Sequence, residues 1–155
     1  MNSPLGVVVA IHTTSVAGQP LLPVETARAV PGRGLEGDRY HAKAGTFSTK
    51  PGAGRDVTLI EAEAIEALKR DYNVEVAASD TRRNIVTRGV ALNHLIDCEF
   101  TVGEVRLRGV RLCEPCGYLA KMTSETVSKA LIHRGGLRCD IITEGTIRIG
   151  DPITL

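Results

Sequence analysis

The sequence predicts a single, mostly β domain spanning residues 1–155, built as a closed or nearly closed antiparallel β-barrel with peripheral helices. The chain length of 155 residues is that of one domain. Segments with strand patterns outnumber helical ones and do not alternate regularly with them, which argues against a doubly wound sheet. The 16 Gly and 7 Pro are scattered along the chain, and this predicts frequent turns.

Six segments are predicted strands because they are short, β-branched or alternating in polarity, and bounded by Gly or Pro. The clearest is 104–112, where apolar residues occupy every second position except at Gly109. Such alternation is typical of an antiparallel strand with one buried face. The predicted strands are 6–12, 24–30, 56–60, 83–87, 104–112 and 146–149.

Helical periodicity appears in two stretches, with a shorter helical turn predicted nearby. In the first stretch Thr58 and Glu61 can form a capping box, and apolar residues recur at intervals of four. The second can be terminated by Gly135-Gly136. The predicted ranges are 58–72, 123–134 and, for the short turn, 91–97.

Charge and composition exclude several function classes. Nineteen Lys and Arg against eighteen Asp and Glu leave a formal charge of +1, so no overall field attracts nucleic acid or an anionic membrane. The chain has no Trp and few other aromatic residues on which bases could stack. Its longest apolar run, 5–11, is much shorter than the roughly 20 residues of a spanning helix. We therefore expect a cytoplasmic protein with no nucleic-acid or membrane partner.

A C-x-x-C motif, Cys113-Glu114-Pro115-Cys116, follows the clearest strand and is predicted to lie in a loop at the barrel rim. Structural zinc is disfavoured because the other two cysteines stand singly and no paired histidines are near. A thioredoxin-like redox pair would need a βαβ unit, which the pattern lacks. Two alternatives remain: buried small hydrophobes, or an accessible thiolate of lowered pKa.

Two further segments could bind an anion. The glycine-rich segment 32–41 contains Asp38-Arg39, and it is either an anion-binding loop or a hairpin turn with an ion pair. Arg82 and Arg83 are adjacent at the start of a predicted strand. Neighbouring strand residues point to opposite faces, so at most one of these arginines should enter a given pocket.

The segment His133-Arg134-Gly135-Gly136 is also ambiguous. Cationic residues followed by glycine are a common way to end a helix. Alternatively, the glycines bring backbone amides and Arg134 close to a phosphorylated ligand. His12 and His94 have no partners at metal-ligand spacing, and we expect them to be structural or surface residues.

Taken in order, six segments resemble the MOSC domain, the C-terminal module of molybdenum cofactor sulfurases. The resemblance spans nearly the whole chain and implies a β-barrel with peripheral helices. The segments are GLEGDRYH at 34–41, DVTLIE at 56–61, RNIVTRGV at 83–90, LCEPC at 112–116, HRGGL at 133–137 and IGD at 149–151.

This resemblance implies the molybdenum cofactor as the ligand. Cys116 would be the catalytic residue and the metal-ligating thiolate, with Cys113 as a neighbour. Arginines would hold the cofactor phosphate or pterin, and Ser15 would supply a hydroxyl contact. The implied cofactor-binding residues are Ser15, Arg39, Arg82, Arg83, Asn84, Glu114, Pro115, Arg134, Gly135 and Gly136. Pyridoxal phosphate binding is a further association at the level of the family alone.

The implied activity is reduction of N-hydroxylated small molecules, such as hydroxylamines or amidoximes, with electrons from a separate donor protein. An alternative is a non-catalytic carrier that holds the cofactor, or a persulfide on Cys116, for another enzyme. A third is a barrel that serves only as a ligand-binding or interaction module. The sequence makes no prediction of the oligomeric state.

Overall fold

The computed structural model describes residues 3–41, 53–115 and 117–155. Within these residues the structure is mostly β, with a few peripheral helices, as predicted. The strands are β1 Gly6–Thr13, β2 Leu22–Val24, β3 Thr26–Val30, β4 Gly34–Leu35, β5 Val57–Glu61, β6 Ile85–Arg88, β7 Glu99–Val102, β8 Val105–Leu112, β9 Leu137–Ile141, β10 Gly145–Arg148 and β11 Pro152–Thr154; the α-helices are α1 Ala62–Tyr72, α2 Gly117–Met122 and α3 Glu125–Ala130.

The main sheet closes into a barrel, which confirms the predicted architecture. Its strand order is β11-β7-β8-β9-β5-β6-β1, and the pairing of β1 with β11 completes the circle. Among the described strands one pair departs from the antiparallel expectation, because β5 and β6 run parallel. The connection between them crosses over through α1, so the chain re-enters the sheet in the same direction.

Two hydrophobic clusters stabilise this arrangement, one inside the barrel and one under the helices. Alternation along β5 and β6 separates them. Leu59 and Ile85 face the barrel interior, whereas Ile60 and Val86 pack outside it with Leu68 of α1. Both faces of β5 are therefore buried, and its sequence is an almost continuous apolar run.

This double burial explains the main error in the predicted elements. The helix expected over 58–72 begins at Ala62, and Thr58 lies in β5. The predicted capping box is wrong, because Glu61 is extended and makes no side-chain cap. An apolar run buried on both sides carries no period of two and also fits a helical pattern, so the strand predicted over 56–60 and the helix predicted over 58–72 overlap; the strand is present as β5.

The other elements are closer to expectation. The strand predicted over 24–30 is broken into β2 and β3, and the turn over 91–97 is a 3₁₀ helix at Leu92–Leu95. The helix predicted over 123–134 is the shorter α3, whose first turn is capped by Ser124 Oγ accepting from the Val127 amide at 3.2 Å. No helix in the described part of the chain is long and apolar enough to cross a membrane.

Candidate functional site

Buried polar side chains gather where β1 ends and β6 begins. β1 and β6 are antiparallel neighbours, so the end of one strand meets the start of the other. We call the group formed by residues 12–14, 38–39 and 81–84 the polar edge. Over all the described residues, the buried polar and charged side chains are His12, Thr13, Thr14, Asp38, Arg39, Asp56, Thr58, Thr81, Arg82, Arg83, Asn84 and Thr87.

Arg39 is held in place by Asp38, and both side chains are almost fully buried. The Asp38 carboxylate accepts hydrogen bonds from Arg39 Nη1 at 3.1 Å, from the Thr14 amide at 3.1 Å and from the Tyr40 amide at 3.3 Å. The guanidinium also lies 4.5 Å from the centre of the Tyr40 ring. Within the described residues Arg39 Nε and Nη2 donate no hydrogen bond, so two donors are oriented and available to an anion.

Asn84 joins three strands at the polar edge. Its Oδ1 accepts from the Thr58 amide and hydroxyl, each at 3.2 Å, and its Nδ2 donates to the His12 carbonyl at 3.2 Å. Its backbone carbonyl accepts from the His12 amide at 2.6 Å. The Asn84 side chain thus extends the sheet hydrogen bonding from β6 to β5 and β1.

Arg83 is buried and joins the polar edge to two loops. Its Nε donates to the Gly135 carbonyl at 2.7 Å, Nη2 to the Cys113 carbonyl at 2.9 Å and Nη1 to the Thr81 carbonyl at 3.1 Å. All three guanidinium nitrogens are engaged by backbone oxygens. The structure therefore gives Arg83 a positioning role, in which it fixes the start of the C-x-x-C loop.

Arg82 points elsewhere, but not through the strand alternation that was expected, because β6 begins only at Ile85. Its backbone is left-handed, with φ of +63°, and Nη1 donates to the Gln19 carbonyl at 2.9 Å. With Gly18, Leu21 and Met122 it lines a cavity of about 190 Å³. Ser15 is exposed in the turn that follows β1.

The two glycines predicted to approach a ligand instead allow two backbones to approach each other. A Cβ on Gly135 would overlap the Cys113 carbonyl oxygen. One on Gly136 would overlap the Leu59 carbonyl oxygen, and Gly136 also has φ of +111°. The Cys113 amide donates to the Gly136 carbonyl at 2.7 Å. This close packing sets the position of the C-x-x-C loop on the barrel.

Glu114 strengthens the same contact from the solvent side. Its carboxylate accepts from the His133 amide at 2.7 Å and lies 2.8 Å from His133 Nδ1. Arg134 is exposed and turns towards α1, with Nη1 3.9 Å from an Asp71 carboxylate oxygen. Pro115 is half-buried in the loop. The structure thus places Glu114 against the segment 133–136, which follows α3, whereas the Arg134 side chain points away from Glu114.

The predicted metal ligand, Cys116, lies outside the described residues. Cys113 and Cys139 are buried, and burial raises the pKa of the Cys139 thiol well above its ordinary value. Both match the predicted alternative of small buried hydrophobes. No group of three or more His, Cys, Asp or Glu in the described ranges is placed to hold a metal ion.

Sequence reasoning missed His12 as part of this region. Its side chain is 7% exposed, and Nδ1 has no hydrogen-bond partner among the described residues. Burial lowers the pKa of His12 below its ordinary value of 6.5. The available signal was its place at the end of a predicted strand, directly before two threonines.

Comparisons with known proteins show the family and support the fold. The family model of the MOSC domain matches residues 39–154. Among solved structures, the YUAD protein from Bacillus subtilis superposes with a TM-score of 0.80 at 12% identity, covering 99% of this chain and 97% of that one. The YiiM proteins from Geobacillus stearothermophilus and Escherichia coli each give a TM-score of 0.67, at 17% and 18% identity. Those pairs cover 100% and 96% of this chain and 75% and 69% of the YiiM chains. A search of curated proteins finds no significant match.

Proposed function

Since the chain belongs to the MOSC domain family, we propose that it binds the molybdenum cofactor and reduces N-hydroxylated small molecules, with electrons from a separate donor protein. The observation that carries this proposal is the polar edge beside the C-x-x-C loop. Buried guanidinium groups there are held by the fold, and the loop that leads to Cys116 is fixed by Arg83. Anchored cations beside a cysteine loop suit an anionic, sulfur-rich cofactor.

The described residues fit the anionic part of this cofactor. Arg39 Nε and Nη2 donate no hydrogen bond within the described residues, and Arg82 lines a cavity together with Ser79 and Asp80. Asp38 keeps Arg39 in a single orientation, so little side-chain entropy is lost when an anion binds. The soft ligand would be the thiolate of Cys116. When bound, the cofactor supplies a sulfur-held metal that changes oxidation state by two electrons and can accept an oxygen atom.

The remaining residues would support this site. Arg83 and the glycine pair hold the backbone before Cys116 against the barrel, and Glu114 holds it to the end of the α3 region. A loop fixed in this way keeps a metal ligand in position. We also propose a cytoplasmic location, supported by the free thiols of the three described cysteines.

Metal analysis tests the cofactor proposal. Protein purified from a host that synthesises the cofactor should contain about one molybdenum and one pterin per chain, measured beside zinc. Cys116→Ala should lose the metal. The matched control is Cys113→Ala, because the hydrogen bonds of Cys113 are made by its backbone. Retention of metal by Cys116→Ala, with loss in Cys113→Ala, would contradict the ligand assignment.

Turnover separates the reductase from a carrier. The loaded protein is incubated with an amidoxime or hydroxylamine and a chemical reductant, and amidine or amine formation is measured. We expect product with the natural chain and none with Cys116→Ala. Cofactor without turnover, also with protein donors, would instead identify a carrier of cofactor or sulfur. Absence of both cofactor and turnover would overturn the proposed function.

A further inference from the structure

Two arginines face each other on the outer side of the sheet beside the C-x-x-C loop. Arg111 of β8 and Arg138 of β9 are directly paired across the strands. Like charges at directly opposite positions destabilise a sheet. Burial lowers the pKa of Arg111, and the nearby charges of Arg138 and Arg55 lower it further. The fold therefore concentrates positive charge at this position.

The chain segment that leads into β5 packs directly on this pair. Arg111 Nη1 donates to the Ala53 carbonyl at 2.7 Å, and the Gly54 amide donates to Asp140 Oδ1 at 2.6 Å. A Cβ on Gly54 would lie 3.0 Å from Arg111 Nη1 and 3.3 Å from Arg138 Cβ. Gly54 also has φ of +80°, so glycine suits both the conformation and the space.

The described residues do not neutralise the pair. In the described ranges no ion pair includes Arg111 or Arg138, and the Arg138 guanidinium donates no hydrogen bond. Asp140 offsets the charge, but its effect on the pKa of Arg111 is smaller than that of Arg138 or Arg55. By contrast, Arg108 on the same strand lies 3.6 Å from an Asp97 carboxylate oxygen. Among the described residues the pair therefore keeps an excess of positive charge, to which an external anion would be attracted.

We propose that Arg111 and Arg138 form a binding site for an oxyanion, the carboxylate or phosphate group of a small-molecule ligand. Two guanidinium groups together present several N–H donors, which match the oxygens of either group. Arg111 lies two residues before Cys113 and Arg138 two residues after Gly136, so the site adjoins the candidate functional site. The anion site stands without the proposed function. If that function also holds, this site would select substrates that carry a negative group.

A titration with inorganic phosphate at constant ionic strength tests the site directly. The arginine Nε–H resonances are followed by ¹H–¹⁵N NMR, and we expect saturable shifts at Arg111 and Arg138. Arg138→Gln and Arg111→Gln should each weaken phosphate binding by about tenfold, because one charged donor group is lost. The matched control is Arg106→Gln, an exposed arginine on the same strand, which should bind phosphate unchanged.

Two results would overturn the site. One is the absence of saturable shifts in the natural chain, which needs no variant to fold. The other is equal weakening by Arg106→Gln, which would indicate general attraction to a basic surface. Thermal melting gives an independent measurement: phosphate should raise the Tm of the natural chain and of Arg106→Gln by more than it raises that of Arg138→Gln.

The source of the oxyanion is found with the loaded protein. If Arg138→Gln keeps its pterin but its KM rises for an acidic substrate and not for a neutral one, the site binds substrate. If Arg138→Gln loses the pterin, the site binds the cofactor phosphate. Acetate in place of phosphate distinguishes carboxylate from phosphate preference. Failure of the proposed function leaves the phosphate titration unaffected, so the two ideas fail separately.

Discussion

Arg83 and the Arg111–Arg138 pair lie on two sides of the C-x-x-C loop, and they differ in how many backbone acceptors the fold supplies to them. Arg83 is 8% exposed and donates to three backbone carbonyls. The pair has one such acceptor, the Ala53 carbonyl. A guanidinium that the fold supplies with acceptors stabilises the fold. Where the fold collects guanidinium groups without acceptors, an external anion is the expected partner.

The largest expected effect comes from removing the satisfied arginine. Arg83→Met would leave the carbonyls of Thr81, Cys113 and Gly135 buried without a donor, at a cost of about 4 kcal/mol in the free energy of unfolding. Arg138→Met should change that free energy by less than about 0.5 kcal/mol. Urea denaturation of both variants measures the difference. Equal losses in the free energy of unfolding would contradict the distinction between Arg83 and Arg138.

The acceptors of Arg83 depend on how closely the glycine loop approaches the barrel. Gly136→Ala would place a Cβ against the Leu59 carbonyl at φ of +111°, and we expect a loss of about 3 kcal/mol. The control is Gly32→Ala, which has φ of +73° but no atom within 4 Å of the new Cβ. It should lose only about 1 kcal/mol, the cost of the left-handed backbone. Similar losses in the two variants would exclude the overlap as the cause.

The contrast between these arginines also shows which features of the fold and the site could be predicted from the sequence. The barrel was predictable because strand patterns, scattered glycines and the MOSC resemblance agree. The sequence also singled out the Asp38-Arg39 and Arg82-Arg83 segments, and both contribute buried side chains to the polar edge. The different hydrogen-bond partners of Arg82 and Arg83 were not predictable. They depend on the left-handed backbone of Arg82, which no propensity indicates for arginine.

The remaining errors have a common physical origin in long-range pairing. The parallel pairing of β5 with β6 depends on a crossover through α1, which a one-dimensional pattern does not specify. The pairing of Arg111 with Arg138 likewise joins residues far apart in the chain. A register shift between Gly109 and Arg111 sets which residue faces Arg138. Sequence periodicity predicts faces, but not the partner across a bulged strand.

A moderate effect is expected when a buried arginine loses the carboxylate that partners it. Asp38→Asn keeps the shape of the side chain but removes the charge that balances buried Arg39. We expect a loss of about 2 kcal/mol in the free energy of unfolding. Phosphate should raise the free energy of unfolding of Asp38→Asn by more than it raises that of the natural chain, and so recover part of that loss. Denaturation with and without phosphate measures this, and an identical phosphate effect in both chains would contradict it.

The smallest expected effect is the pH response of His12, a buried group with an unpartnered nitrogen among the described residues. Burial lowers its pKa in the folded chain, so the unfolded chain binds protons more readily. Stability is therefore fully present above the unfolded pKa of 6.5 and falls as the pH drops through the folded value. We therefore expect a small loss in the free energy of unfolding as the pH falls from about 7 to about 5, measured by urea denaturation at each pH.

His12→Gln should remove this loss, whereas His94→Gln, at an exposed position, should retain it. Buried carboxyls act in the opposite direction. Burial raises the pKa values of Asp56 and Glu61, so their protonation on acidification relieves an unfavourable charge and adds stability. The raw pH profile is therefore a sum of opposed effects, and the difference between the natural chain and His12→Gln isolates the histidine. If that difference does not change with pH, the prediction is wrong, because His12 then has the same pKa in the folded and the unfolded chain.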